Sequence, residues 1–258
     1  MKCNQKPVAL MLILMLAAAV LLPGCRQKVE NKTTFTATIM RVDDQAVLVR
    51  PGQETDEYKS ADLISVGLSN AELTDTRGNP VEVSALSVGL KVDITYGGAI
   101  LESYPAQIND CTKLVAYVDQ AQLPNPMIAF DTPDFRFVAG FALEGLPESV
   151  KTDGVWLISG KIAQLDVSTA DGAEGMLRCA KNTGEDISGL YGISFDTETF
   201  KRFGDVTAEL SYTENGKALA RWTRDGYTFV LWFPEIETET FITLAQSVVD
   251  GVKAAESL

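Results

Sequence analysis

Between Thr33 and Val118 the chain alternates apolar and polar residues in short runs. Phe35, Ala37 and Ile39 are separated by Thr36 and Thr38, the two-residue period of a strand with one buried face. Asp43-Asp44 interrupts the run before Ala46-Val47-Leu48-Val49, which predicts a hairpin. Gly78-Asn79-Pro80 marks another turn. Val92, Ile94 and Tyr96 alternate as far as Gly97-Gly98, and Leu114 to Val118 closes the segment. Five or six short strands with little helix predict a small barrel or sandwich.

Asp119 to Pro126, where Pro124 and Pro126 flank Asn125, reads as a linker. Beyond it, Thr132-Pro133 predicts a helix start, with Phe135, Val138 and Ala139 on one face and Gly140 as the stop. Strands follow around Trp156, Ile162–Val167, Met176–Ala180 and Val206–Tyr212. The clearest hairpin joins Leu219–Thr223 to Tyr227–Phe233 through Asp225-Gly226. That turn sets Trp222 opposite Phe229 and Ala220 opposite Leu231 on one apolar face. Leu219, Val230 and Trp232 fall on the other. Phe241, Leu244, Ala245, Val248, Val249 and Val252 then recur at helical spacing, predicting a terminal helix that covers a sheet face. The expected class is mostly β with an α+β second half: a small open barrel-like antiparallel domain at 33–118, then an antiparallel sheet packed by a C-terminal helix at 127–258.

The N-terminus adds an address. Lys2 and Lys6 precede the apolar run Val8–Leu22, too short at 15 residues for the about 20 that span a bilayer, but suited to a signal segment over 1–24. Leu22-Pro23-Gly24-Cys25 resembles the lipobox of bacterial lipoproteins, in which a small residue precedes a cysteine that becomes lipidated. The resemblance implies a diacylglyceryl thioether on Cys25. Each buried methylene contributes about 0.8 kcal/mol, and two acyl chains anchor durably where one does not. Residues 25–32 then read as a polar tether, whose stretch from Arg26 to Lys32 reaches at most about 25 Å. The expected location is the extracytoplasmic face of a cell membrane.

The segment Thr33–Ile108 resembles a family of small extracytoplasmic lipoprotein domains of unknown function. The residues that carry it are Phe35-Thr36-Ala37-Thr38-Ile39, Val47-Leu48-Val49-Arg50-Pro51, Val88-Gly89-Leu90-Lys91-Val92, Tyr96-Gly97-Gly98 and Glu102-Ser103-Tyr104-Pro105-Ala106. The resemblance implies an open five-stranded barrel of the oligonucleotide/oligosaccharide-binding type. Asn125-Pro126-Met127, Ala139-Gly140-Phe141, Glu185–Gly189 and Arg221–Tyr227 resemble a second uncharacterised domain, found in surface proteins of clostridia-like bacteria. Neither resemblance brings a substrate or a catalytic residue.

Charge and composition narrow the chemistry. The chain has 258 residues, with 22 basic against 35 acidic side chains. Losing the two lysines of 1–24 leaves 20 − 35 = −15. Such acidity argues against nucleic acid, whose phosphates need a basic surface. The absence of histidine removes Ser-His, Cys-His and His-ligated metal mechanisms. No cofactor-binding motif is present. Paired carboxylates remain: a turn at Gly97-Gly98 would set Asp93 opposite Glu102, either as a hydrolytic or cation-binding pair or as two solvated side chains. Cys111 and Cys179 could form a disulfide, or be two separate buried thiols. Asp166–Gly172 lacks the ligand spacing of a calcium loop and reads as a turn. So does Asp186-Ile187-Ser188-Gly189, with side chains bonding nearby backbone.

Trp156, Trp222, Tyr227 and Trp232 are either core or groove residues, and Trp232 is the best groove candidate because its strand face is mixed. These features point to a membrane-anchored, non-enzymatic binding or adaptor protein for a protein, peptide or envelope-glycan ligand. Two alternatives stand beside it: a carboxylate-dependent envelope glycan hydrolase, and a sensor or regulatory domain of a membrane complex.

Overall fold

The computed structural model describes residues 32–118 and 126–256. The signal segment, Cys25 and Asp119–Asn125 of the linker lie outside them. Lys32, assigned to the tether from sequence, already belongs to the first strand.

The first half is one seven-stranded sheet made of β1 (Lys32–Val42), β2 (Ala46–Pro51), β3 (Ile64–Gly67), β4 (Glu72–Asp75), β5 (Lys91–Gly97), β6 (Ala106–Ile108) and β7 (Cys111–Ala116). The order is β4-β7-β5-β1-β2-β3-β6. Since β4 and β6 stand at opposite ends, the sheet stays open. Its interior pairs are antiparallel, but the outer pairs β3/β6 and β4/β7 are parallel, a departure from the all-antiparallel expectation. Phe35, Ile39, Val49, Ile64, Ile94 and Leu114 are among the residues of its core. The expected turn at Gly78-Asn79-Pro80 is present. Asp75 organises it, one carboxylate oxygen accepting from the Arg77 and Asn79 amides at 2.9 and 2.8 Å. A short helix, α1 (Asp56–Ser60), is capped by Thr55, whose hydroxyl accepts from the Tyr58 amide at 3.2 Å.

The second half is an eight-stranded antiparallel sheet. Its strands are β8 (Met127–Ala129), β10 (Val150–Ile158), β11 (Ile162–Thr169), β12 (Glu174–Lys181), β13 (Thr197–Phe203), β14 (Val206–Tyr212), β15 (Ala218–Arg224) and β16 (Tyr227–Phe233), in the order β13-β14-β15-β16-β12-β11-β10-β8. The β15/β16 register sets Trp222 opposite Phe229, with rings stacked at 5.2 Å, and Ala220 opposite Leu231, as the turn residues predict. The terminal helix α3 (Thr238–Gly251) buries Phe241, Leu244, Ala245, Val248 and Val249 against this face. Glu237 caps it by accepting from the Thr240 amide at 2.7 Å. After it, β17 (Lys253–Glu256) pairs with β9 (Phe141–Glu144).

One predicted helix shrinks. α2 covers only Arg136–Ala139, and its N-cap is Phe135 rather than Thr132. Pro133 and Asp134 are drawn into bonding with β9: the Leu143 amide donates to the Pro133 carbonyl, and Asp134 bridges to Ala142. Gly140 ends the helix as expected, at φ +84°.

The two halves share apolar side chains. β2 is buried on both faces: Val47 and Val49 serve its own sheet, while Leu48 joins the larger core of the second half. Adjacent Ile39 and Met40 of β1 point to opposite faces and are both buried, one in each core, and the register with β2 shifts between Ile39 and Arg41. Leu63 is the third such residue. Arg41 donates to the Phe137 carbonyl across the same junction. Replacing Leu48 by Ala should cost about 2–5 kcal/mol in denaturant unfolding. Replacing the exposed Tyr191 by Ser should change stability by less than about 0.5 kcal/mol. Equal, small effects would show that Leu48 is not at a packed junction.

Candidate functional site

The residues singled out from sequence do not converge. Asp93 stands opposite Thr36 and Val115, not Glu102. The strand after Gly97-Gly98 pairs with β3 rather than folding back on β5, so the proposed carboxylate pair is not formed. Asp93 accepts instead from the Thr36 hydroxyl at 2.7 Å and the Tyr117 hydroxyl at 2.8 Å. Glu102 is exposed in a bend. Cys111 and Cys179 are free thiols in separate cores, so no disulfide joins them. Burial pushes the Cys111 thiol up to about 11 and raises Cys179 as well, which leaves both protonated and poor nucleophiles at neutral pH. Asp166 lies inside β11, and the turn itself runs from Thr169 to Ala173.

Trp232 faces no groove. It is 9 % exposed, and Ile187, Leu190, Ile193 and Phe195 of the loop 182–196 pack over it together with Leu219 and Val230. Trp222 and Tyr227 are core residues. The loop is held by a polar ladder across the outer sheet face. The Trp156 indole N–H donates to Asp166 at 2.6 Å, and the Gln164 amide donates to the other Asp166 oxygen at 2.8 Å. Arg178 Nε donates to Gln164 at 2.8 Å, while its Nη1 donates to the Ile187 and Ser188 carbonyls at 3.0 and 2.8 Å. Asp186 accepts from the Ser188 amide and hydroxyl, the turn that the sequence predicts, and from Arg221 at 3.2 Å. Gly189 is required twice: its φ is +67°, and a Cβ there would stand 2.4 Å from Arg178 Nη1. This ladder is a fastening. Its polar groups are spent on one another.

Charged groups without a counter-charge lie where the two halves meet, Asp62 accepting only a long bond from the Tyr104 hydroxyl at 3.4 Å. A cleft of about 190 Å³ is lined by Arg50 from β2, Asp62 and Leu63 before β3, Tyr104 before β6, and Phe130, Asp131, Thr132, Asp134, Phe137 and Val138 of the second half. Arg50 shares a strand face with Leu48, so the packing that buries Leu48 carries the guanidinium into the junction. There it lies 4.6 Å over the Phe130 ring and donates to the Ala129 carbonyl at 2.7 Å. Burial lowers its pKa, and Asp62, Tyr58, Asp131 and Tyr104 pull it back. Yet none of Arg50, Asp62 and Asp131 belongs to an ion pair among the described residues. The third carboxylate, Asp134, is held by Arg136 at 2.7 Å. Tyr104 and Phe137, 55 % and 42 % exposed, meet edge to face at 4.8 Å at the mouth.

A larger groove of about 530 Å³ between α3 and the β11–β12 turn is open and lined by small serine, threonine and alanine side chains with Leu244. It offers a ligand Asp171 and Glu239 but no cation. The junction cleft is therefore the candidate site, although it is the smaller. Its residues lie far apart in sequence, and only the unbroken apolar run before Arg50 signals that β2 is covered on both faces. Among the described residues no cluster of three or more Cys, Asp or Glu could hold a metal ion, and no helix is long and apolar enough to cross a membrane.

The loop fastening has a pH signature. Burial alone would raise the Asp186 carboxyl, but the Ser188 bonds and Arg221 outweigh it and hold it below its ordinary range. A depressed folded-state pKa gives stabilisation that is present above the unfolded value of about 3.9 and is lost as pH falls through the lower folded value. Hydrogen exchange of peptide 182–195, corrected for its intrinsic pH dependence, should therefore accelerate only in that acid window. In Asp186→Asn it should be fast already at neutral pH, and Gly189→Ala should open the loop likewise. Unchanged exchange in both variants would show that the ladder does not hold the loop. No family model, curated protein or solved structure matches the chain.

Proposed function

We propose that this protein is a lipid-anchored extracytoplasmic binding protein whose ligand occupies the junction cleft. Leu22-Pro23-Gly24-Cys25 supports the location, as does the resemblance of Thr33–Ile108 to extracytoplasmic lipoprotein domains. The acyl chains on Cys25 hold the body near the membrane, and its net charge of −15 repels anionic headgroups over a Debye length of about 8 Å. The observation that carries the binding role is the state of Arg50, Asp62 and Asp131. Desolvating a guanidinium is costly unless something compensates it, and two carboxylates stand near it without closing an ion pair. Both carboxylates are exposed and open to an incoming cation. Charged groups held apart beside aromatic side chains fix the orientation of a small guest. The guest is a small fragment of a protein, peptide or envelope glycan, met at the cell surface.

The location is tested by fractionation. Cys25→Ala should move the protein from the membrane pellet to the soluble fraction, whereas Cys111→Ala and Cys179→Ala should leave it in the pellet. Retention of the Cys25 variant in the membrane would defeat the anchoring half of the proposal.

A further inference from the structure

The charges in the cleft do not balance. Arg50 contributes +1, and Asp62 and Asp131 contribute −2, while Asp134 is already neutralised by Arg136. A guest that supplies a counter-charge to each of the three therefore carries one carboxylate and two cationic centres. One arginine N–H is committed to the Ala129 carbonyl, which leaves donors for a carboxylate in the fork geometry that guanidinium and carboxylate share. Aromatic faces suit both methylenes and ammonium groups, and Phe130, Phe137 and Tyr104 provide them. Size narrows the choice further. About 190 Å³ corresponds to about six waters at roughly 30 Å³ each, below the ordinary range for drug-sized ligands. A folded polypeptide or an oligosaccharide chain does not fit inside it.

We infer that the junction cleft binds a small amino acid with a cationic side chain, its carboxylate on Arg50 and its two ammonium groups on Asp62 and Asp131. This rests on the binding role proposed above and names its ligand class. Free diamino acids or the exposed end of a peptide both present this chemistry. The free form uses all three charges. A peptide's C-terminal basic residue lacks the α-ammonium.

Isothermal titration calorimetry on the detergent-solubilised full-length protein tests it, with L-lysine, norleucine (no side-chain ammonium) and 1,5-diaminopentane (no carboxylate) as probes. L-lysine should bind about tenfold or more tighter than either, because each of them leaves one charge of the cleft without a counter-charge. Arg50→Gln should weaken L-lysine by about tenfold or more and leave 1,5-diaminopentane unweakened. Asp62→Asn and Asp131→Asn should each weaken L-lysine, and only one of the two should weaken norleucine, which keeps a single ammonium. An Nα-acetylated lysine that binds as well as L-lysine would assign the site to peptide ends, and would overturn the two-ammonium assignment. Two further probes separate the ligand class from the binding role itself. If L-glutamate or N-acetylglucosamine binds in an Arg50-dependent way and L-lysine does not, the class is wrong and the cleft is still a binding site. If no probe binds at millimolar concentration, both fall.

Discussion

The junction of the two halves depends on three apolar side chains of the first half that finish the core of the second. Met40, Leu48 and Leu63 are at most 5 % exposed, and each packs with residues of the second half. Burying a side chain of this size contributes about 1.5–3 kcal/mol. That is enough for three together to hold a junction that would otherwise be wet. The same strand that supplies Leu48 supplies Arg50 two residues on, on the same face. Hydrophobic packing therefore sets the position of a charge that would not choose that position by itself. The desolvation of Arg50 is a consequence of the fit between the halves.

The two polar systems of the protein contrast in how their charges are used. On the outer sheet face, Asp166, Gln164, Arg178 and Asp186 form a closed sequence of bonds from Trp156 to the loop over Trp232. Gly154 belongs to it, because a Cβ there would come within 2.8 Å of both Asp166 and the Trp156 indole nitrogen. Partly buried networks of this kind rigidify when fully satisfied. In the cleft the groups face one another without closing. The first arrangement is what a structural fastening needs. The second leaves bonding capacity for a guest.

Much of the fold was legible because it is local. The Asp225-Gly226 turn fixes the register of β15 and β16, the spacing from Phe241 to Val249 gives α3, and Asp186 and Ser188 form the expected turn. Failures came where a distant partner competed. Thr132 lost its cap because β9 claimed Pro133 and Asp134, and Asp93 lost Glu102 because β6 pairs in parallel with β3. Trp232 was rightly placed on its strand face but is covered by a loop whose apolar residues have no periodicity to announce them. The cleft was invisible for a related reason. Arg50, Asp62, Tyr104 and Asp131 share no spacing, and only the packing of two sheets brings them together.

A preformed cleft requires the two sheets to move as one body. Residual dipolar couplings of backbone amides, measured separately for residues 32–116 and 127–256, test this directly. One alignment tensor that fits both sets is the expected result. Two tensors of different magnitude or orientation would mean that the halves reorient independently. In that case Arg50 would have no fixed partners across the junction.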